Sequence, residues 1–154
     1  MNDEKKIEST FLSKTERLLV PCLFVFGAIV GSRGFYWIVN GDAAKNDSPF
    51  YRTLDNVFPL WVWGIPFVIA GLMFFLASVF VVSLNTKKTF DIFLTIGSLI
   101  SAISFTLLAL ASTGDGNAVN WLTPTQNTIF AVGFYILTLT GVSFLWRSIK
   151  TKRN

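Results

Sequence analysis

Few side chains in this sequence could do chemistry, and the first to consider is an arginine inside an apolar segment. Arg33 interrupts a long apolar run, and Tyr36 and Trp37 follow it at spacings that share a helix face. Histidine is absent and Cys22 is the single cysteine. The chain therefore lacks the commonest general base and the commonest metal ligand.

Recognised catalytic motifs are missing as well. The patterns GxSxG, HExxH and CxxC do not occur. No acidic residue lies near the middle of an apolar run, where a proton-coupled pump or a small cation exporter needs one. Asp91 stands at a predicted helix start, where a carboxylate interacts favourably with the helix dipole. We therefore predict no catalytic residue, metal site or cofactor, and a chain that is not an enzyme.

Two interpretations of Arg33 stay open at the level of sequence. Its distance from Arg17 along a helix is about 24 Å, so it lies a few ångströms short of the far membrane surface. From there its long side chain could reach the lipid headgroups. Alternatively, it lies between helices and pairs with Asp55 or with carbonyl groups freed by a kink at Pro66. The second interpretation follows from the cost of an unpaired charge inside a membrane.

Composition predicts the elements that hold these residues. Of the 154 residues, 52% are apolar and 14% are charged, whereas a soluble domain carries roughly 25% charged residues. The apolar runs suffice for four membrane spans, because a bilayer core needs about 20 helical residues. Their predicted bounds are 18–39, 60–84, 90–112 and 124–146. The predicted fold is an all-α integral membrane four-helix bundle in a single domain.

Local signals set the ends and bends of the predicted spans. Residues 13–16 form a capping-box pattern that starts the first helix, and Pro21 predicts a bend soon afterwards. Pro66, with Gly64, predicts a kink near the start of the second span. Thr123 followed by proline predicts the start of the fourth span.

The loop after the first span contains one more helix signal. Ser48 and Pro49 provide an N-cap and a first helical position. The following residues place Phe50, Leu54 and Val57 on one face, which predicts a short amphipathic helix lying in the outer membrane interface. A simple coil is the alternative.

The basic residues predict the orientation. Ten of the 13 Lys and Arg residues lie in the two terminal flanks and in the turn between the second and third spans. An excess of basic residues marks cytoplasmic flanks. We therefore predict a multi-pass protein of the plasma (inner) membrane, with cytoplasmic tails 1–17 and 147–154. Tryptophans favour headgroup depth. Four are predicted at the outer interface, namely Trp37, Trp61, Trp63 and Trp121, and Trp146 is predicted at the inner interface.

Two sets of residues are candidates for functional or packing contacts. The first contains polar and aromatic residues around the outer loop: Arg33, Tyr36, Trp37, Arg52, Asp55, Trp61 and Trp63. The second contains small residues that let helices approach closely in lipid: Gly27, Gly31, Gly97, Ser101, Gly133 and Gly141. Packing within one bundle and self-association both remain compatible with the second set.

These features predict an interaction protein of accessory, regulatory, immunity or exclusion type. It would act through the outer aromatic loop or through helix faces. The expected partners are the lipid bilayer and either another membrane protein or a second copy, but not nucleic acid. The alternative is an oligomeric pore former or small transporter, with a path along small and hydroxyl side chains of the third and fourth spans. The chain is similar to bacteriophage holins in size and basic tail, but no motif carries that similarity.

Overall fold

The chain is all-helical in the residues that the computed structural model describes, which are 2–47, 49–80, 87–113 and 122–151. These residues form five helices in chain order: α1 (Asn2–Asp47), α2 (Pro49–Val57), α3 (Leu60–Phe80), α4 (Lys87–Thr113) and α5 (Leu122–Thr151). All except α2 are long and apolar enough to cross a membrane. The predicted all-α fold, with four long apolar helices and one short helix, is confirmed.

Helix α1 extends beyond its predicted bounds at both ends. It begins at Asn2, upstream of the capping-box pattern, because residues 2–12 contain neither glycine nor proline to stop a helix. It also continues past Val39, and its apolar part spans Leu18–Asn46. The backbone leaves helical geometry at Asn40 (φ −115°, ψ 24°) and not at Pro21, which lies inside the helix.

Some of the predicted helix starts and prolines fall within the described residues, and others do not. Pro49 is the first residue of α2, and Pro66 lies inside α3. Helix α5 begins at Leu122, so Thr123 lies within its first turn and is not the cap. The predicted cap at Ser48, the tryptophan at position 121, and the segments 81–86, 114–121 and 152–154 lie outside the described residues.

The long helices pack in the order of the chain. Helix α1 packs on α3, α3 on α4, and α4 on α5, while α2 contacts α1, α3 and α4 at one end of the bundle. We call this end the α2 end. Helices α1 and α5 do not form one of the main contacts in the described part of the chain. The gap between them is therefore crossed mainly by side chains.

Glycines allow α1 and α3 to approach closely. A Cβ atom added to Gly64 would lie 2.5 Å from the carbonyl oxygen of Gly34, and one added to Gly71 would lie 2.7 Å from Cα of Gly31. A Cβ atom on Gly27 would lie 3.0 Å from the carbonyl oxygen of Gly71. Larger residues would force the backbones apart, so these glycines set the separation of the two helices.

An aromatic core centred on Phe105 joins α3, α4 and α5. The ring centroid of Phe105 lies 5.2 Å from that of Phe67 on α3. It lies 5.1 Å from that of Phe130 and 5.6 Å from that of Phe134, both on α5. Phe134 in turn lies 5.5 Å from Phe74. Tilted and offset ring pairs at these distances stabilise a core by about 0.5–1.5 kcal/mol each beyond the area that they bury.

Candidate functional site

The side chain of Arg33 lies between the helices. Its Nη1 atom donates to Oδ1 of Asn127 on α5 over 3.3 Å. The guanidinium carbon lies 5.5 Å from the ring centroids of both Trp37 and Phe105, which is within the range of cation–π attraction. The side chain of Tyr51, on α2, borders the same group, since its ring centroid lies 5.8 Å from that of Trp37. We call these five residues the Arg33 cluster.

The partners of Arg33 differ from those predicted. Asp55 does not pair with it, because its Oδ2 lies 3.0 Å from Nζ of Lys45 and its Oδ1 accepts a hydrogen bond from the backbone N–H of Leu60 over 3.0 Å. Asn127 was overlooked by sequence reasoning, since it stands 94 positions from Arg33. One signal was available. An amide inside an apolar helix needs a polar partner in lipid, and a neighbouring helix is the usual source.

The Arg33 cluster contains more hydrogen-bond donors than acceptors. Trp37 and Asn127 are 0% and 1% exposed. The ring N–H of Trp37 and the side-chain NH₂ of Asn127 have no acceptor within hydrogen-bond distance among the described residues. The guanidinium of Arg33, which contacts both residues, is itself a donor at all five N–H positions. The cluster is therefore suited to a ligand that brings acceptor oxygens.

Several of the other polar and aromatic residues that were predicted as candidates lie apart from the Arg33 cluster. Tyr36 and Trp61 are exposed, and Arg52 is exposed on α2. Of the two aromatic residues that follow Arg33 on its helix face, Trp37 contacts the guanidinium and Tyr36 is exposed. Trp37 is buried between helices, where its ring also packs against Phe67 at 5.3 Å; its depth at the outer interface stays a prediction.

The chain between α2 and α3 forms a corner fixed by hydrogen bonds, which we call the α2–α3 corner (residues 54–63). The ring N–H of Trp63 donates to the carbonyl oxygens of Leu54 and Phe58, over 3.2 Å and 3.1 Å. Phe50 and Leu54 bury the inner face of α2, as predicted, but Val57 is 64% exposed. Helix α2 therefore rests on the bundle and also presents apolar side chains outward.

Asp55 holds this corner to the end of α1. Its carboxylate bridges Lys45 and the N–H of Leu60. Partial burial raises the pKa of Asp55, but the hydrogen bonds from Lys45 and Leu60 lower it more, so the pKa is below its usual value. Lys45 also contacts the fully exposed Asp42 at 2.9 Å, a kind of surface pair that contributes little to stability.

Most of the small residues predicted to pack helices lie at helix contacts. Gly27 and Gly31 face α3, and Gly97 faces α3 near Met73. Gly141 faces Thr95 on α4. Ser101 is fully buried, and its hydroxyl has no hydrogen-bond partner among the described residues.

Gly133 differs from the others, because a Cβ atom there would have no neighbour within 4 Å. The helix contact predicted at Gly133 is therefore not found within the described part of one copy.

Two hydroxyl residues, Ser98 of α4 and Thr138 of α5, lie at the contact between these two helices. The hydroxyl oxygen of Thr138 lies 2.9 Å from that of Ser98 and 2.8 Å from the carbonyl oxygen of Phe134, both within hydrogen-bond distance. Both hydroxyl side chains are buried. A path along these faces would require α4 and α5 to separate, or a different arrangement in an oligomer.

Comparison with known proteins adds no family to this description: no family model, curated protein or solved structure matches the chain. Function must therefore be argued from the two features that the fold builds, which are the Arg33 cluster and the α2–α3 corner. The described residues contain no group of three or more His, Cys, Asp or Glu side chains that could hold a metal ion. Both features bring together groups suited to binding.

Proposed function

We propose that this chain is a non-enzymatic membrane protein of accessory, regulatory, immunity or exclusion type, which binds another membrane protein through the α2–α3 corner. The observation that supports the proposal is an apolar patch on this corner, formed by Val57, Phe58 and Trp61. All three side chains are more than half exposed. We call them the corner patch.

The corner patch is held in place before any partner arrives. Leu60 and Trp63 are both hydrogen-bonded within the corner, and the backbone N–H of Phe58 donates to the carbonyl oxygen of Leu54 over 3.1 Å. A surface that is already ordered loses less conformational entropy on binding. Exposed aromatic anchors are also enriched among the residues that contribute most to binding between proteins.

The orientation proposed for this surface is outward from the cell. Basic residues flank both termini and stand at the start of α4, which supports cytoplasmic termini in a plasma (inner) membrane. The α2 end would then face the outside, where a partner in the same membrane or in an adjoining one could reach it. This placement suits an accessory or exclusion role.

Photo-cross-linking in native membranes tests this proposal. A benzoylphenylalanine probe replaces Trp61 in one variant and Trp146, exposed on another part of the bundle, in a matched control. We expect position 61 to cross-link to one defined membrane protein and position 146 not to. A Phe58→Ala substitution should abolish that cross-link without changing the amount of chain in the membrane.

Two results would count against the corner patch as a protein-binding surface. Cross-links to lipid alone would make Trp61 an aromatic anchor in the headgroup region, a common role for tryptophan. Cross-links only between copies of this chain would favour an oligomer and, with it, the pore-forming alternative. Conductance measurements in planar bilayers would then test that alternative.

A further inference from the structure

We propose that the gap between α1 and α5 binds one phospholipid, with its phosphate at the Arg33 cluster and an acyl chain in the apolar groove beside it. This site is separate from the corner patch. It does not depend on the function proposed above.

The groove lies on the membrane-facing side of α1 and α5 and has a volume of about 360 Å³. It is lined by Phe26 of α1 and by Phe130, Gly133, Phe134 and Leu137 of α5. Ligand sites in proteins usually occupy roughly 300–1,000 Å³. Because Gly133 has no neighbour within 4 Å of a Cβ position, the missing side chain leaves part of this space open. An apolar chain suits such a lining.

The groove and the cluster follow one another along the same two helices. Phe26 meets Phe134 across the gap, with ring centroids 6.1 Å apart, and Arg33 meets Asn127 across it at 3.3 Å. Both residues of the polar pair lie two helical turns nearer the α2 end, which is about 10 Å along the axis. A molecule spanning both would have its polar end toward the α2 end and its apolar end toward the bilayer centre. Lipids in the leaflet at the α2 end have this direction.

The charge and the donors at the polar end suit an anionic group with acceptor oxygens, such as a phosphate. No ion pair of Arg33 is found among the described residues; its hydrogen bond goes to the neutral amide of Asn127. An uncompensated cation at this depth is costly. A phosphodiester supplies one negative charge and acceptor oxygens for the guanidinium fork.

These two halves of the site distinguish a phospholipid from its parts. Inorganic phosphate has the charge but nothing to fill the groove. Diacylglycerol has the acyl chains but no charge for Arg33. Only a molecule with both groups satisfies the polar end and the apolar groove together.

Native mass spectrometry of the full chain, released from nanodiscs, tests the proposal. The nanodiscs contain phosphatidylcholine with a small fraction of either phosphatidylglycerol or diacylglycerol, and a third sample receives inorganic phosphate. We expect one retained phospholipid per chain, and retention of neither diacylglycerol nor phosphate. Arg33→Gln should reduce phospholipid retention at least tenfold.

A second variant separates binding from folding. Gly133→Leu fills the groove from an open face, so the bundle should remain intact while phospholipid retention falls at least tenfold. Two matched controls should retain lipid like the parent: Val132→Leu, which enlarges an exposed neighbour outside the groove, and Arg52→Gln, which removes an exposed arginine from α2.

Several results would overturn the proposal. Equal retention of diacylglycerol and phosphatidylglycerol would mean that the phosphate is not recognised. Unchanged retention in Gly133→Leu would remove the groove from the site. A dimer that is lost in Gly133→Leu, with no lipid retained by the parent chain, would assign the groove to a second copy. If no sample retained lipid, the gap between α1 and α5 would not be a lipid site.

Discussion

The guanidinium of Arg33 donates a hydrogen bond over 3.3 Å to the amide oxygen of Asn127, and this bond joins the first long helix to the last. Helices α1 and α5 have no extensive contact of their own in the described residues. The bond therefore closes a bundle that is otherwise packed in chain order. It also places a positive charge beside the aromatic core, since Phe105 lies 5.5 Å below the same guanidinium.

A double-mutant cycle on this pair should show strong coupling. We expect Arg33→Met and Asn127→Leu each to lower the free energy of unfolding by about 1–3 kcal/mol, because each leaves a buried polar group without its partner. The double variant should lose clearly less than the sum, since neither unsatisfied group remains. Unfolding in mixed micelles by titration with denaturing detergent provides the measurement. Strict additivity would show that the bond does not contribute to stability.

The glycines between α1 and α3 should differ sharply from Gly133 in their tolerance of a methyl group. Gly64→Ala places a Cβ atom 2.5 Å from the carbonyl oxygen of Gly34, so we expect a loss of about 1–3 kcal/mol in unfolding free energy. Gly133→Ala meets no neighbour and should gain up to about 1 kcal/mol from helix propensity. Equal effects at the two positions, in the same micelle assay, would contradict the close approach of α1 and α3.

Phe105 should be the phenylalanine whose truncation costs most. Phe105→Ala removes ring contacts with α3 and α5 and the cation–π contact with Arg33. We expect a loss of about 3–5 kcal/mol, in the range found for buried aromatic residues. Phe144→Ala, at an exposed position of α5, is the matched control and should change little. A similar loss at both positions would argue against a core centred on Phe105.

The α2–α3 corner should loosen in acid. The folded state lowers the pKa of Asp55, so the stabilisation is fully present above the unfolded pKa of about 3.9. It is then lost as the pH falls through the lower folded pKa. The free energy of unfolding should therefore decrease as the pH falls below about 4. The same measurement on Asp55→Asn should show no such loss of unfolding free energy in acid. Asp42→Asn should still show the loss, because Asp42 is fully exposed.

Cysteine labelling should reveal the orientation. In a Cys22→Ala background, single cysteines replace Lys5, Lys45 and Ala118. An impermeant maleimide added to intact cells should label positions 45 and 118, and position 5 should react only after the membrane is opened. This pattern follows from the basic flanks. Labelling of position 5 in intact cells would reverse the proposed topology.

Some features of the fold were accessible from local sequence patterns. Run length and hydropathy predicted the long apolar helices, because a membrane-spanning segment must satisfy its own backbone hydrogen bonds. Pro49 predicted α2, because proline suits a first helical position. Helix ends were less accessible: α1 passes Val39 and ends at Asp47. Polar residues can continue a helix beyond the apolar run, and apolar patterning does not register that continuation.

The candidate site was only half accessible. Arg33 stood out as a charge in an apolar run, but its partners did not. Asn127 lies 94 positions away, and Tyr51 reaches the site only because α2 folds onto the bundle. The nearby carboxylate at Asp55 appeared the better partner from charge alone, yet Lys45 and the N–H of Leu60 engage it. Charge in the sequence does not show which groups the helices bring together.

By itself, the sequence determined the type of secondary structure, which is four long apolar helices and a short amphipathic helix. It also showed that no recognised catalytic motif is present. These properties follow from composition and from periodicity over a few turns, which are local quantities. The tertiary structure decided that Arg33 points inward, that Trp37 is buried beside it, and that Gly133 opens onto a groove between α1 and α5. Those outcomes depend on how closely α1 approaches α3 and on which faces of α4 and α5 meet. They are set by contacts between distant parts of the chain.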